Sequence, residues 1–79
     1  MKNATLRAEL ARFGIRRKDL AQLLRLSESA LQGKLQGRRS FYLTEAYAIQ
    51  QAIKSRGGDI ALNELFKESI EEEIQKLAM

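Results

Sequence analysis

Cysteine, histidine and proline are all absent from this sequence of 79 residues. Without cysteine the chain can form neither a disulfide framework nor a thiolate metal site, and without histidine it lacks the other common zinc ligand. The same absences remove a frequent general base and a frequent nucleophile. We therefore expect no catalysis, no metal site and no cofactor. Because no separate effector domain is visible in the sequence, we expect no small-molecule ligand either.

Long apolar runs are missing as well. No stretch approaches the roughly 20 residues that span a bilayer, and the amino terminus lacks the pattern of a secretory signal. These features predict a cytoplasmic protein with no membrane partner. The length suits a single domain, and a core of this size without disulfides is marginal unless it is well packed or dimeric.

The net charge of +4 is unevenly distributed along the chain. Residues 1–42 contain ten basic and three acidic side chains, a net charge of +7, whereas residues 43–79 contain four basic and seven acidic ones, a net charge of −3. A concentrated positive charge is typical of proteins that displace counterions from a polyanion. The first half of the chain therefore points to a nucleic acid as partner.

Apolar residues recur at helical spacing through most of the chain, and no strand-like alternation of useful length occurs. The first helix should end at Gly14, and the second should begin near Arg16 or Arg17. Ser27 is a suitable N-cap for a third helix that closes at Gly37. The pattern predicts an all-α protein, a bundle of about five helices with a C-terminal helical extension.

The second half should contain two further helices. Thr44 is placed to cap a helix that ends at the Gly57-Gly58 pair, and Asp59 is placed to cap the next one. Because Ile70, Ile74 and Leu77 continue on the face begun by Leu62 and Phe66, we expect this last helix to run almost to the carboxyl terminus.

The second and third helices have the sequence pattern of a helix-turn-helix, with Arg17–Leu24 followed by residues 28–36. In this motif a small residue must lie where the two helices cross, and an apolar residue must fill the turn. Ala21 and Leu26 occupy those two positions.

Over residues 5–66 the sequence resembles the lambda-repressor-like, or Cro and xenobiotic-response-element, helix-turn-helix family. The matching positions are Gly14-Ile15, Asp19-Leu20-Ala21, Leu24, Leu26-Ser27, Ala30-Leu31, Leu35-Gln36-Gly37-Arg38, Phe41, Leu43, Glu45-Ala46 and Leu62-Asn63-Glu64-Leu65-Phe66. The stretch from Lys34 to Arg38 is particularly similar to small phage-type repressors. The chain departs from the family at Arg16 and Arg17, where a capping Thr or Ser and a Gln are usual, and at Arg25, where Gly is usual. Arg25 should therefore have a positive φ.

The resemblance implies a DNA-binding domain at residues 1–66, with the recognition helix at 27–36 in the major groove of double-stranded DNA. It implies base contacts from Glu28, Ser29, Gln32 and Gly33. Phosphate contacts are implied for Arg17, Ser27, Lys34, Gln36, Arg38 and Arg39. Gln32 can pair with adenine and Glu28 can accept from cytosine. The alternatives are an ordinary solvated helix face and arginines that serve solubility alone.

The acidic tail at residues 67–79 carries an apolar stripe of Ile70, Ile74 and Leu77. This stripe can pack on its own domain, pair with a second copy or lie on a membrane, and the neighbouring glutamates disfavour an anionic membrane. We favour a homodimer, which suits a palindromic operator. The expected function is that of a phage- or prophage-type transcriptional repressor in a bacterial or phage-infected cell, associated with the nucleoid. The alternative is a protein-interaction module, such as an antirepressor or adaptor, on the same scaffold.

Overall fold

A computed structural model describes residues 3–78 of the chain, apart from the side chains of residues 76 and 78. Within this range all regular structure is helical and comprises six helices, which confirms the predicted all-α class. The helices are α1 (Ala4–Arg12), α2 (Arg17–Leu24), α3 (Glu28–Leu35), α4 (Leu43–Ser55), α5 (Leu62–Leu65) and α6 (Lys67–Ala78). No helix in the described range combines the length and apolar content needed to cross a membrane.

The core lies where the first five helices converge, and each of them contributes at least one fully buried aliphatic side chain. These side chains are Leu6, Leu20, Leu31, Ile49, Ile53 and Leu65. Full burial of such a side chain stabilises the fold by about 1.5–3 kcal/mol. The apolar periodicity of the sequence is thus explained by one shared core rather than by separate helix pairs.

Glycine ends the first helix in the predicted way. Gly14 has a φ of 68°, and the amide of Ile15 after it donates to the carbonyl of Leu10 at 2.9 Å. This backward bond satisfies a carbonyl at the end of the helix that would otherwise lack a partner. The chain then turns sharply enough for α2 to begin at Arg17.

Two predicted helix starts in the second half are wrong. Helix α4 begins at Leu43 rather than after Thr44, because the Glu45 carboxylate accepts the amide of Tyr42 at 2.8 Å and so caps the helix from inside. Asp59 caps no helix, since α5 begins only at Leu62. Residues before α5 are held against α4 instead, by a bond of 3.0 Å from the Gln50 amide to the carbonyl of Ile60.

The prediction of one continuous last helix is also wrong, because the helix is interrupted at Phe66, between α5 and α6. Phe66 is only 7% exposed. Its ring packs edge-on against Phe41 with centroids 5.6 Å apart. Phe66 is thus buried and has non-helical backbone angles, so α6 starts as a separate helix after it.

The start of α6 is attached to α1 by side-chain hydrogen bonds. The backbone amide and the hydroxyl of Thr5 both donate to the carboxylate of Glu68, the hydroxyl at 2.9 Å. The Ser69 hydroxyl donates at 2.7 Å to the amide oxygen of Asn3. The first turn of the tail therefore packs on its own domain.

Gly58 occupies a position in the core where no side chain fits. A Cβ atom at Gly58 would lie 2.4 Å from Cγ2 of Ile53 and 2.9 Å from the ring of Phe13. Overpacking of this kind typically costs about 1–3 kcal/mol. We predict that Gly58→Ala lowers the free energy of unfolding by that amount in urea titrations. As a control, Gly33→Ala should be tolerated, because its Cβ would meet only the Arg38 guanidinium, at 3.9 Å. Equal stability of the Gly58→Ala variant and the original chain would contradict this packing.

The attachment of α6 should depend on pH through Glu68. Partial burial raises the pKa of this carboxyl, but the two hydrogen bonds from Thr5, together with the Glu68 backbone amide and the charge of Lys67, outweigh burial, so the pKa lies below its usual value. A pKa lowered by folding stabilises the protein above the pKa of the unfolded state, and this contribution is lost as pH falls towards the folded pKa.

We therefore predict that Glu68→Gln lowers the free energy of unfolding at pH 7. The difference between the variant and the original chain should shrink as pH falls below the ordinary glutamate pKa of about 4.3. Urea titrations at several pH values measure both quantities. A difference that stays constant with pH would mean that the Glu68 charge does not hold α6.

Candidate functional site

The turn between α2 and α3 has the geometry expected from the sequence. Arg25 has a φ of 57°, which confirms the positive value predicted for it. The amide of Leu26 donates to the carbonyl of Ala21 at 2.9 Å, and Ala21 itself is 3% exposed. Left-handed backbone costs a non-glycine residue roughly 1–2 kcal/mol. The tight reversal therefore depends on the contacts around it rather than on Arg25.

The amino-terminal turn of α3 is exposed, with a capped backbone. The Ser27 hydroxyl accepts the amide of Ala30 at 3.0 Å. Glu28 and Ser29, both predicted to contact bases, are exposed at this end of the helix, and Gln36 is exposed at its other end. The structure therefore leaves these polar side chains accessible to a partner.

Gln32 lies on the same helix but is already engaged by another predicted site residue. Nη1 of Arg17, at the start of α2, donates to Oε1 of Gln32 at 2.5 Å. The bidentate pairing of glutamine with adenine uses both the amide oxygen and the amide nitrogen. In this arrangement one lone pair of Oε1 is occupied by Arg17, and the NH₂ group of Gln32 is left to donate to a partner.

Gly33 lies beneath Arg38 and forms part of a depression beside α3. The carbonyl of Gly33 accepts the amides of Arg38 and Arg39 at 2.9 and 3.4 Å. The depression has a volume of about 400 Å³, and its lining residues are Ser27, Ser29, Ala30, Gly33, Arg38 and Arg39. Two hydroxyls and two guanidinium groups around one concave surface suit an anionic oxygen.

Gly33 is buried and so does not lie on the exposed face of α3. Within the chain nothing requires glycine here, because its φ is not positive and a Cβ would make only an ordinary contact with Arg38. Glycine inside a helix costs about 1 kcal/mol relative to alanine. Because Gly33 has no side chain, it leaves space in the depression that it lines.

Lys34 also lies inside the protein, although the sequence suggested a phosphate contact. Lys34 is 5% exposed. Its Nζ atom lies 2.5 Å from Oε1 of Glu45 and 4.4 Å from the ring centroid of Tyr42. The ammonium is therefore satisfied by a carboxylate and an aromatic face. Lys34 links α3 to α4 and does not join the exposed basic groups.

The predicted dimerisation stripe lies on the free side of α6. Ile70, Ile74 and Leu77 are 40%, 58% and 86% exposed. Leu43, which sequence reasoning did not single out for this role, is 65% exposed and lines the same groove as these three residues. Spacing along one helix could reveal the stripe, but it could not reveal a leucine from another helix.

The described residues contain no group of three or more acidic side chains placed to hold a metal ion. No family model matches the chain, and no curated protein or solved structure matches it either. The case for a function therefore rests on the sequence and the geometry of this chain.

The structural role of Lys34 can be tested by removing its charge. Breaking a buried ion pair by truncating one partner typically costs about 3–5 kcal/mol, because the other charge stays buried without compensation. We predict a loss of this size for Lys34→Met, measured as the free energy of unfolding. The double variant Lys34→Met with Glu45→Gln should recover much of the loss. If Lys34→Met leaves stability unchanged, the ion pair does not anchor α3.

Proposed function

We propose that this protein binds double-stranded DNA sequence-specifically, as a dimer on a palindromic operator, and acts as a transcriptional repressor of the phage or prophage type. The observation that supports this most is the presentation of α3. Its first turn is exposed beside the tight turn from α2, with Arg17 bonded to Gln32 and with Arg38 and Arg39 lining the adjacent depression. A short helix end between cationic groups fits the major groove with phosphates on both sides.

The contacts divide into two sets. Glu28 and Gln32 are placed to read base edges from the exposed face of α3, Glu28 as an acceptor and Gln32 as a donor. Ser27, Ser29, Arg38 and Arg39 surround the depression next to this face, where a backbone phosphate would meet hydroxyl and guanidinium donors. Ser29 therefore contacts a phosphate rather than a base in this arrangement, and Gly33 supplies space rather than a contact.

Arg17 and Gln36 complete the proposed surface. Both are exposed, Arg17 at the start of α2 and Gln36 at the end of α3. Lys34 has no part in it, because its ammonium is buried against Glu45. Arginine contacts of this kind supply affinity that depends on salt, whereas the polar groups on α3 supply sequence preference.

The mechanism is passive occupation of a promoter. A bound protein excludes polymerase or an activator, and no chemical step is needed. Such a protein works in the cytoplasm, on the nucleoid. The similarity of the sequence to the lambda-repressor-like family supports the proposal, and so does the strongly basic first half of the chain.

A second candidate function is that of a protein-interaction module, an antirepressor or adaptor. The exposed apolar groove along α6 favours it, since large exposed apolar surfaces commonly mark protein contacts. The two functions differ in their response to DNA. An adaptor would show no preference for any duplex.

Selection from a random double-stranded pool tests the proposed function directly. The selected duplexes should share an inverted repeat with half-sites about 34 Å apart, one helical turn. Affinity for the winning duplex should exceed affinity for a scrambled one by about 10³-fold or more. Equal, weak affinity for all duplexes would contradict sequence-specific binding and favour the adaptor.

Arg38 provides a test of the phosphate contacts. Loss of one phosphate contact should weaken binding to all duplexes alike and reduce the slope of log K against log salt by about one. We predict this for Arg38→Ala, measured by fluorescence anisotropy over a salt series. Lys54→Ala is the matched control, because Lys54 is an exposed cation at the carboxyl-terminal end of α4. This variant should leave the slope unchanged. A loss at one base position alone would make Arg38 a base reader.

Gln32 and Arg17 should act together in reading one position. We predict that Gln32→Ala relaxes base preference at a single position of each half-site and costs about 1–3 kcal/mol on the preferred duplex. Because Arg17 donates to Gln32, adding Arg17→Ala to Gln32→Ala should not relax that position further. Binding-site profiles of the single and double variants measure both effects. An unchanged profile for Gln32→Ala would remove this residue from the reading set.

A further inference from the structure

An apolar groove of about 790 Å³ lies along α6. One wall is formed by α6, with Ile70, Ile74 and Leu77. The other wall is the connection between α3 and α4, which includes Arg39, and Leu43 at the start of α4. Phe66, held against Phe41, lies in the groove between them.

We propose that this groove is the docking surface for a second copy of the chain, which inserts its own α6 stripe there. The groove can accept a copy of its own surface. Helix α6 forms one wall of it and carries exposed aliphatic side chains that can pack into the groove of a second chain. A two-fold dimer needs this property, since the same patch must serve on both copies. Aliphatic side chains as exposed as Ile74 and Leu77 would be covered by such a contact.

Charge favours a second copy over an unrelated apolar partner. Acidic residues of α6, Glu72 and Glu73, line one wall, and Arg38 and Arg39 line the other. A two-fold axis parallel to the groove brings the acidic wall of each copy against the basic wall of the other. Unlike rims around an apolar centre match the usual anatomy of a protein interface.

The proposal assigns new interface residues on the opposite wall, above all Leu43. It also predicts that pairing of two α6 helices alone is insufficient, because the partner stripe must reach the loop wall. The proposal rests on the proposed function in that it specifies the surface of the dimer which that function requires. The oligomeric state is measured without DNA, so loss of the dimer and loss of sequence-specific DNA binding are detected by different experiments.

Sedimentation equilibrium of the full chain at protein concentrations of about 1 µM to 1 mM tests this surface. This range is chosen because interfaces of standard size or smaller can have dissociation constants within it. The chain should pass from monomer to dimer within the range and form no larger species. Ile74→Gln and Leu43→Gln should each raise the dissociation constant at least about tenfold, a change of 1.4 kcal/mol. The matched control is Leu23→Gln, because Leu23 is 52% exposed and lies on α2 away from the groove.

Far-UV circular dichroism and urea titration confirm that each variant is folded before its mass is compared. A monomer at every concentration would overturn the proposal and leave the groove to a different partner. An equal effect of Leu23→Gln would mean association through nonspecific apolar contact. If Ile74→Gln abolished the dimer but Leu43→Gln had no effect, the helices alone would pair and the groove proposal would be wrong.

Discussion

The short helix α3 has to be fixed to the core and offered to a partner at the same time, within eight residues. Leu31 and Leu35 bury one side of it, and Lys34 ties its end to α4 through Glu45. Eight residues form little more than two turns, too few for a stable isolated helix. The exposed polar face therefore exists only because the opposite face is held by apolar burial and by one ion pair.

The carboxyl-terminal end of α3 is also connected to the tail through a single buried residue. The Asn3 amide donates to the carbonyls of Lys34 and Leu35 at 3.1 and 3.3 Å, and its oxygen accepts from Ser69 of α6. Asn3 adopts a left-handed conformation that asparagine tolerates better than most residues. Because these carbonyls end α3 and the Ser69 hydroxyl lies on α6, Asn3 connects α1, α3 and α6 through its side chain. The start of α6 is thus tied to both α1 and α3.

Local signals in the sequence were sufficient for the first three helices. Gly14 and Ser27 act on their immediate neighbours, and the tight spacing around Arg25 leaves few backbone choices. Signals that depend on distant residues were not readable. Thr44 is a good cap in isolation, yet Glu45 caps α4 by reaching back to Tyr42. Lys34 looked like a surface cation because the course of residues 36–42, which brings Glu45 to it, has no periodic pattern. The engagement of Gln32 by Arg17 likewise depends on the angle between two helices.

The connection between α3 and α4 lies between the two proposed contact surfaces, so its arginines could be drawn to either. Arg38 and Arg39 line both the depression beside α3 and the groove along α6. The Arg38 guanidinium lies close enough to α3 to meet a Cβ atom added at Gly33, at 3.9 Å, which assigns it to the phosphate side. Arg39 is then the residue left for the acidic wall of a second copy.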